Sequence, residues 1–343
     1  MIISRTPYRI SFFGGGTDYP AWYKKNGGAV LSTTINKYCY ITVRYLPPFF
    51  EHKHRIVYRK IENIKHISEI QHPSVRSLLD FFDINKGVEI HHDGDLPARS
   101  GLGSSSSFTV GLLHCLHALK GYMTSKLQLS EEAIHIEREI LKENVGSQDQ
   151  VAVAYGGFNR IAFEQGGKIR VDPIIIGKEK LTQLQNHLML IFTGLSRYAS
   201  EIAEEQIKNT PQKEKELSSM QQMVDETRDI LNGDRDIIEF GHLLHKSWKI
   251  KKSISSKISN LKIDNMYDTA LNAGAVGGKL LGAGGGGFML LFVPPERRRQ
   301  VKHSLKDLLE VKFSFESEGS QIIHYTADEE DAVCHELSLV TQT

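Results

Sequence analysis

Four consecutive serines, Ser104 to Ser107, come after Gly101 and Gly103 and lead straight into apolar residues at helical spacing: Phe108, Val110, Leu112, Leu113, Leu116 and Leu119. A helix start needs only one Ser or Thr as a cap. Glycines ahead of unpaired N–H groups instead let a ligand reach the backbone at the positive end of the helix dipole. The chemistry this suggests is phosphate binding, against the plainer reading of a capped helix after a flexible loop. Two carboxylates lie further along, Glu137 within a helical stretch and Asp149 just past Gly146, the glycine expected to end it. Near a phosphate loop such a pair suits phosphoryl transfer, one holding Mg2+ and the other orienting or deprotonating the attacking hydroxyl. Taken singly, a helical glutamate is more often a solvated face and Asp149 a turn residue.

Other clusters are less informative. KLLGAGGGGFMLLFVPP satisfies G-x-G-x-x-G at Gly282, Gly284 and Gly287, but a strand is expected after it where a dinucleotide site needs a helix. It reads as a turn packed against another backbone or a ligand. No P-loop motif occurs. His114 with His117 and His242 with His245 stand one helical turn apart without further ligands, so histidine is not expected to hold a metal. HKSWKIKKSISSK reads as a solvated helix face that could also meet a ligand phosphate.

The elements that must position these groups come in two runs. YRISFF leads as a strand into Gly14-Gly15-Gly16, AVLSTTINKYCYITVRYL supplies one or two more strands, and VEIHHDGDLP ends another before the serines. SEEAIHIEREILKENVG is expected to be a helix starting at Ser130 and ending near Gly146, and VAVAYGGFNRIAFEQGGKIRVDPI to return to strands and turns. A domain boundary is placed between Lys178 and Asn186, before the strand HLMLIFTG. Residues 199–259 are helical in pattern, broken at Pro211 and Asn232-Gly233, with Met220, Met223, Val224, Thr227 and Leu231 as a core stripe. The 343 residues allow two domains, and 40% hydrophobic with 24% charged residues is a globular composition. A net charge of +1 gives no case for nucleic acid or an acidic membrane. Three scattered cysteines suggest buried free thiols, and Arg5 and Arg9 interrupt any leader-like run, so a cytoplasmic protein is expected.

Taken in order, PYRISFFGGGTDY, LPARSGLGSSSS and GKLLGAGGGGF resemble the three motifs of the GHMP kinases, across nearly the whole chain. RTPYRISFFGGGTDYPAWY, VGSQDQVAVAYGGFNRI, FTGLSRYAS and LLHKSWKIKKSIS resemble in particular the branch that phosphorylates D-glycero-D-manno-heptose 7-phosphate. The resemblance implies an α+β fold with a ribosomal-S5-like domain (1–182), a ferredoxin-like domain (183–343) and the active site between them. It implies ATP held along Pro97, Ser100, Gly101, Leu102, Gly103, Ser104, Ser105 and Ser106, with Mg2+ on Ser105 and Glu137. Asp149 falls at the acid beside the acceptor hydroxyl, and Arg9 at the arginine next to it, where a guanidinium would stabilise transferring phosphoryl charge. Gly15, Gly16, Thr17 and Asp18 would bind the sugar, with Gly156, Gly284 and Gly285 also on the acceptor side, and Arg197, then Lys252, would grip the distal phosphate. The product would be the 1,7-bisphosphate, on the way to GDP-heptose for surface polysaccharide. Alternatives are another sugar-1-kinase, for fucose, galactose or a uronic acid, and a non-catalytic nucleotide- and sugar-binding regulator. GGGTDY stands where galactokinases carry Gly-Glu-His, which tells against galactose. The expected partners are a small sugar phosphate and ATP, with no nucleic acid or membrane, for a monomer or homodimer.

Overall fold

The computed structural model describes residues 1–195 and 199–327. The first half builds β1 (Ile2–Phe13), β2 (Gly28–Tyr45), β3 (His54–Val57), β4 (Ile61–Ile64), β5 (Val88–Gly94), β6 (Phe158–Phe163) and β7 (Ile169–Pro173). The second half adds β8 (Leu188–Phe192), β9 (Gly277–Leu280), β10 (Phe288–Phe292), β11 (Leu309–Val311), β12 (Phe315–Glu316) and β13 (Gln321–Tyr325). Strands β8 to β11 form an antiparallel sheet of order β11-β8-β10-β9. The others form a sheet with the path β13-β1-β2-β5-β3-β4, in which β12 and β6 also pair with β2, and β7 with β6. This is the mixed α+β architecture expected, with one addition. Strands β12 and β13 come from the second half of the chain, yet they complete the first sheet.

AVLSTTINKYCYITVRYL forms one strand rather than two. β2 runs unbroken for 18 residues because its β-branched and aromatic positions find partners along the whole length, β1 on one edge and β6 then β5 on the other. The serine-rich segment is the helix Ser104–Leu119, and 11 of its 16 residues are buried, where a surface helix would bury one stripe. It packs on β1 and β2. The helices Glu214–Asn232 and Ile238–Ile254 also reach β1, so the far half of that strand is buried throughout.

Two boundaries differ from expectation. The helix after the serine helix is Lys126–His135, capped by Ser125, whose side chain accepts from Gln128 N–H; Ser130 lies inside it and donates to the Leu127 carbonyl. It continues as a π-turn, Ile136–Ile140, and stops well before Gly146. VAVAY, expected as a strand, belongs to the helix Gln148–Tyr155, because its apolar residues are needed on several faces between neighbouring helices and β1. The stripe Met220, Met223, Val224, Thr227 and Leu231 is buried as expected. Cys39 and Cys115 are buried free thiols, and Cys334 lies outside the described residues. No described helix is long and apolar enough to cross a membrane.

Candidate active site

Arg9 sits on β1 opposite Thr34 of β2 and is 3% exposed. Its Nε and Nη2 grip both carboxylate oxygens of Asp149 at 2.8 and 2.7 Å, and Nη1 donates to the Gly101 carbonyl at 2.8 Å. The backbone N–H of Arg9 donates to Leu102 O at 3.0 Å. One guanidinium, whose rigid fork matches a carboxylate, therefore fixes both the acid in the first turn of Gln148–Tyr155 and the loop ahead of the serine helix. Gly103 joins them. A Cβ there would stand 3.1 Å from Arg9 Cγ and 3.6 Å from Asp149 Oδ2, and its φ of +75° is left-handed, so glycine lets the helix start this close to the pair.

No side chain caps the serine helix. Ser104 Oγ accepts from Arg99 N–H at 3.1 Å, outside the helix; Ser107 Oγ lies 3.0 Å from the carbonyls of Pro7 and Gly103; and Ser105 is exposed. The first-turn N–H groups thus have no side-chain cap. Along the loop, Pro97 is exposed and Leu102 belongs to the core. Ser100 is buried, its Oγ without a hydrogen bond among the described residues.

Glu137 is buried on the π-turn. Its Oε2 accepts from Ser106 Oγ at 3.0 Å and from Gln150 Nε2, while Oε1 has no hydrogen bond among the described residues. Burial first, then the neighbouring Glu143 charge, pushes its carboxyl up to about 7, against the opposing pull of Gln150, Thr109 and Ser106. The family resemblance pairs Glu137 with Ser105, but the hydroxyl that meets it is that of Ser106, one residue further round the helix. A buried carboxylate with one free oxygen, close to hydroxyls, is a donor set that fits a hard cation such as Mg2+.

The loop after β1 brings Asp18 to the same place. Asp18 is 1% exposed, and its Oδ1 accepts from Gly16 N–H at 2.9 Å. Burial pushes its carboxyl up to about 6; the Gly16 and Gln148 N–H groups work against this, and the Asp149 charge adds to it. Gly15 lies by Ser11 and Gln148, which hydrogen-bond each other at 2.7 Å. The Thr17 hydroxyl is taken up by Gly14 O, Ala29 O and Ala29 N–H, so it locks the turn rather than facing a ligand.

The third glycine cluster is placed differently from expectation. Gly284 packs on the Ile258 backbone, and Gly285 N–H donates to Ile258 O at 2.9 Å. Gly156 ends the Gln148–Tyr155 helix, at the opposite end from Asp149, and packs on the Glu318–Gly319 backbone. Gly282, however, touches Gly101, and Phe288 N–H donates to Ser100 O at 3.1 Å, so the third cluster buttresses the second. Arg197 lies outside the described residues. Lys252 Nζ is held by Asp264 at 2.8 Å and lies over the Trp248 ring.

Sequence reasoning missed two lysines. Lys251 and Lys279 are 7% and 3% exposed. Lys251 Nζ donates to Leu280 O at 3.0 Å and Gly282 O at 2.5 Å, and Lys279 Nζ to Phe12 O at 2.8 Å. The reading of HKSWKIKKSISSK as a solvated face fails at Lys251, for which the helical phase of the buried Leu244, Ser247 and Trp248 was the available signal.

Residues 65–157 match the family model for the GHMP kinase N-terminal domain and residues 223–311 that for the GHMP kinase C-terminal domain. A D-glycero-alpha-D-manno-heptose 7-phosphate kinase from Campylobacter jejuni is 31% identical over 294 residues, covering 82% of this chain and 86% of that protein. A galactokinase from Pyrococcus furiosus is 26% identical, over 82% of this chain and 86% of its own length. The crystal structure of a D-glycero-D-manno-heptose 1-phosphate kinase from Bacteriodes thetaiotaomicron superimposes with a TM-score of 0.76 at 25% identity, over 95% of this chain and all (100%) of that one.

Proposed function

The chain belongs to the GHMP kinase family and is an ATP-dependent sugar kinase, and on that footing we propose that it phosphorylates the anomeric hydroxyl of D-glycero-D-manno-heptose 7-phosphate to the 1,7-bisphosphate. The observation that carries the chemistry is the Arg9–Asp149 pair set against Gly103 at the uncapped start of the serine helix. The first-turn N–H groups and the Gly101–Ser106 backbone hold the ATP phosphates. Asp149 accepts the proton of the attacking hydroxyl, while Arg9 fixes its orientation and offsets charge on the transferring group. Asp18, with Gly15 and Gly16, faces the sugar hydroxyls. Glu137, with Ser105 or Ser106, would hold Mg2+, which would supply neutralisation of phosphate charge during transfer. Arg197 is the proposed grip on the distal phosphate. Segments 1–182 and 183–343 are the proposed domains, and the enzyme acts in the cytoplasm as a monomer or homodimer.

The substrate is tested by incubating the protein with ATP, Mg2+ and a panel of sugars and sugar phosphates, then identifying products by mass and phosphorus NMR. A heptose 1,7-bisphosphate is expected. Faster turnover of fucose, galactose or a uronic acid overturns this acceptor, and no transfer to any sugar overturns the kinase reading.

A further inference from the structure

Arg9 and Lys251 hold two glycines that touch each other. Arg9 Nη1 binds Gly101 O at 2.8 Å, a Cβ on Gly282 would fall 2.6 Å from Gly101 Cα, and Lys251 Nζ binds Gly282 O at 2.5 Å. Arg9 is neutralised by Asp149, whereas neither Lys251 nor Lys279 has a carboxylate in hydrogen-bond contact among the described residues. A buried ammonium satisfied only by carbonyl dipoles is costly, and removing it to make room for an apolar group is commonly neutral or stabilising. Its presence therefore fits an anion that arrives.

We propose that Lys251 is a further catalytic residue, whose ammonium joins Arg9 in holding the phosphoryl group during transfer. This rests on the kinase reading, not on the identity of the sugar. The acceptor oxygen forms a bond to the γ-phosphorus, the bond from that phosphorus to the β,γ-bridging oxygen breaks with its electron pair leaving on ADP, and the acceptor proton passes to Asp149. Lys251 gives up no proton; it offsets charge on the phosphoryl oxygens. Lys279 donates to Phe12 near the end of β1 and not to either glycine, and has the supporting place.

The surroundings agree. The charged groups facing Lys251 are Arg9 on β1, Asp18 on the loop after it and Lys279 on β9, while on its own helix Lys252 is turned to Asp264. Burial first, then the Arg9 charge, lowers the Lys251 ammonium to about 7, with Asp18 opposing. An incoming polyphosphate restores the charged form, so binding at alkaline pH takes up protons.

Lys251→Met and Lys251→Gln are compared with wild type on whichever sugar the wild type phosphorylates. Turnover is expected to fall by roughly 10²- to 10³-fold, as for loss of one preorganised transition-state donor, with kcat/KM for ATP falling at least as far as kcat because the ammonium also meets the bound phosphates before transfer. Thermal melting of Lys251→Met is expected to hold or rise. Calorimetric binding of a non-hydrolysable ATP analogue with Mg2+ at pH 8, in two buffers of different ionisation enthalpy, is expected to show greater proton uptake by wild type than by the variants, since any contribution from Lys279 or Glu137 is common to both. Unchanged turnover, or lost turnover with a lower melting temperature in both variants, reduces Lys251 to a structural tie and overturns the proposal. A loss confined to phosphorylated acceptors overturns it in favour of a distal-phosphate contact. Because any accepted sugar serves, a wrong choice of acceptor leaves this result intact.

Discussion

The two glycine-rich loops of this kinase look interchangeable as text and do opposite things. In SGLGSSSS, Gly103 brings an uncapped helix start against Arg9 and Asp149 and leaves N–H groups for a ligand. In GAGGGG, the glycines meet other backbone: Gly282 touches Gly101, Gly286 meets Leu195, and a Cβ on Gly287 would fall 2.2 Å from the Ser100 carbonyl oxygen. One loop carries a helix start with no side-chain cap, the proposed phosphate site, and the other lets two backbones close on each other. Glycine content alone cannot separate these uses; the element next along the chain can, since a helix start leaves N–H groups free and a strand engages them.

The sharpest way to break this comparison is at the presenting loop. Asp149→Asn is expected to lower kcat by roughly 10²- to 10⁴-fold with little change in ATP affinity, the range for loss of a general base. Near-normal turnover in a stopped assay would remove the acid from the site. At the packing loop the effect belongs to stability. Gly287→Ala combines a φ of +99° with the backbone clash, and should cost about 3 kcal/mol or more by denaturant melting. Gly167→Ala, at φ +86° but in open space, should cost only about 1 to 2 kcal/mol, the conformational share alone. Equal losses would mean that crowding contributes nothing.

Asp18 sharpens the contrast through pH. Its folded carboxyl keeps a proton up to about 6, whereas an ordinary one loses it near 3.8. Between those values the folded state binds more protons, so stability falls as pH rises from about 4 to 6, on the order of 2 kcal/mol, and levels above. If the ionised form receives the sugar, kcat/KM rises over the same window. Asp18→Asn should flatten the melting slope and erase the kinetic limb, and an unaltered profile would place both effects on another group. The smallest effect is expected at the metal. Glu137→Gln and Ser105→Ala should each raise the Mg2+ needed for half-maximal rate by roughly tenfold, non-additively, as for two ligands of one site. If Ser106→Ala does so in place of Ser105→Ala, the hydroxyl already hydrogen-bonded to Glu137 is the ligand.

Much of the presenting loop was legible because its signals are local. Glycine spacing, the serines and the start of apolar periodicity all fall within a short stretch, and Arg9, Glu137 and Asp149 stand at motif positions. The strand after GAGGGG was legible for the same reason. Lys251 was overlooked, since HKSWKIKKSISSK is polar in composition and its one pointer is the helical phase with Leu244 and Trp248, which the packing of the helix on β9 makes decisive. The choice between Ser105 and Ser106 needs the helix's rotation relative to a π-turn, which residue spacing does not convey. β12 and β13 were missed because their partners are nearly a whole chain length away.

That last pairing bears on how the molecule is made. β13 pairs with Ile2–Arg5 of β1, and the Met1 amino group meets Thr326 O across a separation of 325 positions. During synthesis β1 has no neighbour on that edge until the residues near 320 have left the ribosome, so a growing chain carries a bare strand edge of the kind that templates aggregation. Contacts of such sequence separation also slow folding, because loop closure precedes their reward. A circular permutant joining residue 326 to residue 1 by a short linker makes this pair a hairpin, and is expected to refold faster and aggregate less than the native order.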